Sequence, residues 1–181
     1  KKIYAFDTWA GFPKNLRQNY NDEYERWGDL FKSKNISKKH YKEILKNRKY
    51  AVFNKRINKK KLNSFNLSTS GDFSNCSVAD IKRKIKFLKL DNIVLIKGPF
   101  KSTMSEKKLK KLKLFSAIID SDLYDSYKVA LPFIWKRLQK KGIIFLDEYY
   151  SLKFPGARIA CNDFLKLADD VSKCLIIINL Q

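Results

Sequence analysis

Apolar positions along the chain follow two alternating rhythms. Short, nearly unbroken runs at Ile3–Phe6, Asn92–Ile96, Leu114–Ile119, Ile143–Leu146 and Cys174–Ile178 have the length and composition of buried strands. Between them, apolar residues recur every three or four positions. Val78, Ile81, Ile85 and Leu88 form one helix face, and Ser77 followed by Asp80 marks its start. Leu123, Tyr127, Leu131, Ile134 and Leu138 predict a long helix that Pro132 kinks or delays and Gly142 stops. A basic helix is expected over Ser105–Lys111. Another is expected over Ala157–Ala168, after a turn at Phe154-Pro155-Gly156. From Asn15 to about Lys61 the chain is polar, basic and aromatic, with weaker helical patterns near Asp22–Phe31 and Lys38–Lys46. That stretch reads as a lid or insertion at about 15–70 rather than a separate domain, and order returns at Gly71.

Strands alternating with helices mean right-handed crossovers and a mostly parallel sheet covered by helices on both faces. The expected architecture is one α/β domain over residues 1–181. The chain opens directly into a strand, with neither an initiator Met nor a signal-peptide core, and so reads as part of a longer protein.

Composition narrows the functional classes. No run approaches the roughly 20 apolar residues of a membrane span. The formal net charge is +21, which on its own suggests a nucleic acid or an anionic surface as partner. The lysines are scattered rather than gathered on one helix face, and Lys, Asn and Ile are abundant together, as an AT-rich coding sequence would make them. Base-stacking motifs are absent, so a nucleic-acid partner is disfavoured. Cys76, Cys161 and Cys174 are few, odd in number and far apart. That fits a reducing cytoplasm rather than a disulfide framework or a zinc site. His40, the single histidine, lies among lysines and reads as solvated, which argues against a His-based zinc site or a Ser-His-Asp triad.

The chemistry lies in acids at strand exits. Asp7 follows the first strand, Asp120 and Asp122 follow Leu114–Ile119, and Asp147 and Glu148 follow Ile143–Leu146. Ligands of open α/β sheets bind beyond the carboxyl ends of the strands. About one crossover separates Asp120 from Asp147, and neighbouring parallel strands lie roughly 4.8 Å apart, so both carboxylates can reach one cation. A hard divalent ion such as Mg²⁺ suits a few carboxylate oxygens. The plainer alternative, that these acids only cap helices, stays open from pattern alone. Asp7 is placed to accept a ribose diol or to form a turn.

Four blocks carry a family resemblance. FDTWAGFP at Phe6–Pro13 resembles a DSF-x-GLP strand end, and KGPFKSTM at Lys97–Met104 resembles KGWFxDTLP. IIDSDLYDS at Ile118–Ser126 resembles LDGDxYEST. GIIFLDEYY at Gly142–Tyr150, with PGARIACNDF at Pro155–Phe164, resembles GGxxIIDDY and PGxRxAVDDF. In this order and spacing the chain resembles the macrocin O-methyltransferase (TylF-type) family of class I methyltransferases. The resemblance implies a Rossmann-like sheet, an S-adenosylmethionine donor, Mg²⁺ and a hydroxyl acceptor such as a sugar. It implies metal binding by Asp120, Asp147 and Glu148, with Asp120 or Asp122 as the proton acceptor. Asp7, Gly98, Pro99 and Phe100 would lie on the donor side. Glu148 stands where an Asp is usual, and Pro99 where a Trp is common. The family's first strand and glycine-rich turn have no counterpart here. That strand would lie between those ending in Asp7 and Asp120, so this chain by itself is expected to bind donor poorly and to be inactive. Two alternatives are a basic nucleic-acid-binding domain and a nucleotide-sugar-handling enzyme of the same fold. A further one is a relative that keeps the scaffold without catalysis. Homo-oligomerisation stays open.

Overall fold

The structure is a computed structural model that describes residues 1–12, 19–55, 58, 60, 73–168 and 174–178. The expected Gly71 boundary, the end of the first family block at Pro13 and parts of the 15–70 segment lie outside the described residues.

Every described strand pairing is parallel. β1 (Ile3–Asp7) pairs with β2 (Ile93–Lys97), with Ile3 opposite Ile93 and Asp7 opposite Lys97. β3 (Leu114–Ile119) pairs with β4 (Leu138–Leu146), which pairs with β5 (Cys174–Ile178). The Lys1 amine lies 5.5 Å from the ring centroid of Phe115 in β3, and Phe6 of β1 packs edge-on against Phe133 at 5.7 Å. No ladder joins β1 to β3 among the described residues, which form a two-stranded sheet β1–β2 and a three-stranded sheet β3–β4–β5. β3 accordingly leaves Phe115 61% and Ile118 75% exposed.

The helices are α1 (Arg26–Lys32), α2 (Lys38–Lys55), α3 (Val78–Phe87), the single turn α4 (Phe100–Thr103), α5 (Tyr124–Trp135) and α6 (Pro155–Leu167). Ser77 caps α3 as expected, its hydroxyl oxygen accepting the Asp80 N–H at 3.2 Å. The α3 apolar face is only partly covered, since no residue of that helix is buried.

Several elements depart from the sequence reading. The basic helix at Ser105–Lys111 is replaced by α4 and a 3-10 turn at Lys107–Leu109. Pro99 starts a helical turn early, and closely spaced lysines repel at helical spacing. α5 ends at Trp135, and Leu138 opens β4. The Arg137 guanidinium donates to the carbonyls of Phe133 (2.9 Å) and Leu109 (3.0 Å), while the Arg137 carbonyl accepts the Leu114 N–H. Gly142 lies within β4 rather than stopping a helix. A Cβ there would fall 2.6 Å from Leu138 Cγ and 2.8 Å from the Gln139 carbonyl oxygen, at a bulge where the β3–β4 register shifts. Phe154-Pro155-Gly156 is not a free turn: Phe154 is the N-cap, and Pro155 and Gly156 open α6. Ile3, expected to be buried, is exposed.

Two apolar cores result. The first joins Ile96, Ile119, Ile144 and Leu146 of the strands to Tyr127, Leu131 and Ile134 of α5 and to Ala157, Ala160 and Cys161 of α6. The second lies under the described part of the expected lid. There Tyr24, Trp27, Leu30, Ile36, Ile44 and Ala51 pack on Ile159 of α6. The Tyr24 hydroxyl donates to the Ile44 carbonyl at 3.0 Å.

Trp27 is 0% exposed. Trp27→Ala is expected to cost about 3–5 kcal/mol of unfolding free energy, read by urea denaturation of the natural protein. A loss under about 1 kcal/mol would mean that the segment does not share the folding unit.

Candidate functional site

β3 and β4 end side by side, and each chain turns sharply at its exit. After Ile119 the chain passes through Asp120, Ser121 and Asp122, with Asp122 at φ 61° and the Leu123 N–H bonded to the Ser121 carbonyl at 2.6 Å. After Leu146 it enters a 3-10 turn over Asp147–Tyr150. These two turns bring one carboxylate oxygen each of Asp120, Asp122 and Glu148 within 4.8 Å of one another. Asp147 lies outside that group, although its charge reaches all three. Ser121 Oγ, between the two aspartates, is buried and has no hydrogen-bond partner among the described residues.

The crowding shows in the acids' proton affinities. Burial, followed by the Glu148 charge, pushes Asp122 up to about 8. Burial and then the charges of Asp147 and Asp120 raise Glu148, against a hydrogen bond from Ser151 that favours its ionised form. Partial loss of water and then Asp147 and Asp7 raise Asp120 at the exposed rim. Asp122 and Glu148 also interact directly through their side chains, which favours a proton on one of the two. A hard divalent cation would take the place of that proton, and this donor set of carboxylate oxygens beside an orphaned hydroxyl fits one.

Neighbouring groups hold the cluster. Tyr127, fully buried in α5, donates its hydroxyl to the Ile119 carbonyl at 2.8 Å and accepts the Glu148 N–H at 3.3 Å. It thus ties the end of β3 to the end of β4. Ser151 Oγ accepts the N–H groups of Lys153 (3.0 Å) and Phe154 (3.1 Å) as the chain enters α6. Arg158 stacks 3.7 Å from the Tyr149 ring centroid and donates to the Tyr149 carbonyl (3.0 Å) and the Asn35 carbonyl (2.7 Å).

The expected donor-side residues also meet. Asp7 is exposed at the end of β1, its Oδ1 accepting the Trp9 N–H at 2.6 Å, and its carbonyl accepts the Gly98 N–H at 2.9 Å. Gly98 has φ 139°, Pro99 precedes α4, and Phe100 packs against the first core. The Asp7 charge reaches Asp120.

Sequence reasoning missed Asp22, Tyr127, Ser151 and Arg158. It placed His40 in solvent, whereas His40 Nε2 is buried and the ring packs edge-on between Trp27 (5.6 Å) and Tyr150 (5.7 Å). Burial and the Arg158 charge lower its pKa. Lysine-rich neighbours in sequence hid this, because α2 turns them outward and His40 inward.

Parallel strands, helices in the crossovers and acids beyond the carboxyl ends of the strands define a Rossmann-like α/β architecture. The chain belongs to the macrocin-O-methyltransferase (TylF) family, whose model matches residues 58–180. Among solved structures it is similar to the O-methyltransferase NovP, with a TM-score of 0.58 and 16% identity over 93% of this chain and 54% of that one. It is also similar to CalS11, described as a calicheamicin methyltransferase, with a TM-score of 0.56 and 21% identity over 92% of this chain and 53% of that one. The chain thus spans about half the length of the structures it matches. No curated protein matches it. No helix among the described residues is long and apolar enough to cross a membrane.

Two measurements probe the geometry. Tyr127→Phe leaves the Ile119 carbonyl and the Glu148 N–H without their partner, and is expected to lower unfolding free energy by about 1–3 kcal/mol in urea titrations. The second concerns pH. A raised carboxyl pKa means that the folded protein holds the proton more tightly than the unfolded chain. The stability this gives is therefore present below the ordinary carboxylate range and lost as pH rises through about 8. In chelator, the thermal midpoint should fall between pH 6 and 8.5. Excess Mg²⁺ or Mn²⁺ should flatten that fall.

Proposed function

We propose that the natural protein containing this chain transfers a methyl group from S-adenosylmethionine to a hydroxyl of a small-molecule acceptor, with a divalent cation held at the strand-end acids. The observation that carries this reading is the convergence of Asp120, Asp122 and Glu148 at the exits of β3 and β4 in a chain of this family. The family is named for macrocin and CalS11 for calicheamicin, which favours a natural-product acceptor; a sugar hydroxyl is the expectation from the family resemblance.

Asp120 and Glu148 would hold the cation, while Asp147, outside the tight group, adds its negative charge beside them. When bound, such an ion lowers the pKa of a coordinated hydroxyl and fixes its orientation. Asp122, inside the same group, takes the hydroxyl proton. The donor's sulfonium supplies an electrophilic methyl: the new O–CH3 bond forms as the S–CH3 bond breaks, and the charge at sulfur is neutralised. Asp7 accepts the ribose hydroxyls, while the backbone at Gly98 and Pro99 and the ring of Phe100 line the donor side. Tyr127 keeps the two strand ends in register, so the acceptor oxygen and the methyl group are aligned before reaction.

Asp120→Ala in the natural protein is expected to abolish metal-dependent turnover, measured as transfer of labelled methyl groups to an acceptor library. Retained turnover would remove the cation from the reaction. Asp122→Asn should bind Mn²⁺ and donor yet lose about 10²-fold or more in kcat.

A further inference from the structure

Asp22 is the least exposed carboxylate among the described residues, at 3%. It ends a 3-10 turn at Tyr20–Asp22, outside the sheet and outside the acid cluster. Its Oδ1 accepts the N–H of Tyr124, the first residue of α5, at 2.9 Å. The same oxygen fills the space over Gly156, in the first turn of α6. A Cβ built on Gly156 would fall 1.8 Å from Asp22 Oδ1, 2.8 Å from its Cγ and 2.9 Å from Tyr124 Cβ. The carboxylate therefore sits in the notch where the first turns of two helices meet. Partial positive charge at both helix starts favours an anion there, while burial and the nearby Asp125 oppose it.

These two helices follow the acid-bearing turns, α6 after four intervening residues. α5 starts two residues beyond Asp122, and α6 follows the turn that carries Asp147 and Glu148. The spacing of the two helix starts and the spacing of the acids are thus linked through short connections, one residue (Leu123) before α5 and residues 151–154 before α6. Tyr127 ties them from inside the sheet, and Asp22 from outside. Asn19 extends the outer tie by donating to Asp125 at 3.1 Å.

We infer that Asp22 is a positioning residue: its carboxylate pins the first turns of α5 and α6 together, sets the spacing of Asp120, Asp122 and Glu148, and requires glycine at 156. The inference rests on reading those acids as the reacting site. It gives the segment around Tyr20–Asp22 a role that the lid reading did not assign.

The test is a double-mutant cycle in the natural protein, read by Mn²⁺ affinity and by kcat and KM for donor and acceptor. Asp22→Ala should weaken Mn²⁺ binding about tenfold or more and lower kcat in step, with donor KM within about twofold. Asp22→Asn, whose Oδ1 still accepts the Tyr124 N–H, should stay within about threefold of wild type. Gly156→Ala should reproduce the Asp22→Ala defect, because its methyl expels the carboxylate. The double variant Asp22→Ala/Gly156→Ala should be no worse than Gly156→Ala alone, since the methyl enters the vacated space and only Tyr124 Cβ, 2.9 Å away, has still to give. Native Mn²⁺ affinity in Asp22→Ala, a neutral Gly156→Ala, or additive losses would each overturn the inference. Should Asp22→Ala fail to fold, Gly156→Ala decides alone. If the cycle behaves as expected but the wild-type protein transfers no methyl group, the positioning role stands and the proposed reaction fails.

Discussion

Carboxylates crowded together away from water repel one another, and the architecture around the ends of β3 and β4 works against that repulsion. Three carboxylate oxygens share a space of 4.8 Å, which without counter-charge is tolerated only if the backbone cannot spread and some of the acids keep a proton. The backbone is held by the parallel β3–β4 ladder and by the Tyr127 hydroxyl bridging both strand ends. Ser151 steadies the exit into α6 and favours the ionised form of Glu148. The raised proton affinities of Asp122 and Glu148 relieve the remaining charge.

The same constraint explains why the outer segment packs as it does. The described part of residues 19–55 forms its own small core on α6 through Trp27, Ile44 and Ile159. Its polar ties run to elements next to the acids: Asp22 to the start of α5, and Arg158 to the carbonyls of Asn35 and Tyr149. A segment that looked like a loose basic cover in composition is part of the scaffold that fixes the site.

Strands, their parallel order and the acids at their exits were legible in the sequence, because a short apolar run ended by an acid is a local signal that burial on both faces enforces. The end of α5 was not legible. Leu138 continues the helical spacing of Leu131 and Ile134 even though the chain has already turned into β4, and only Arg137 bonding to Phe133 and Leu109 shows the break. Pro155 and Gly156 read as a turn because proline and glycine serve equally at turns and at the first positions of a helix. Asp22 was hidden for a different reason. Its partner Tyr124 lies 102 residues away, and no periodicity connects positions that distant. The grouping of Asp120, Asp122 and Glu148, with Asp147 alongside, depended on the positive φ of Asp122, which spacing alone does not reveal.

β3 combines three properties that rarely coexist on a soluble surface: an exposed Phe115, an exposed Ile118, and a strand edge that no ladder joins to β1 among the described residues. Such a strand is a template for another extended segment, since backbone donors and acceptors in a row recruit strands of any origin. Expressed by itself at high concentration, the chain would therefore be drawn into edge-to-edge self-association, and its colloidal behaviour, rather than its chemistry, would set the conditions under which it can be handled.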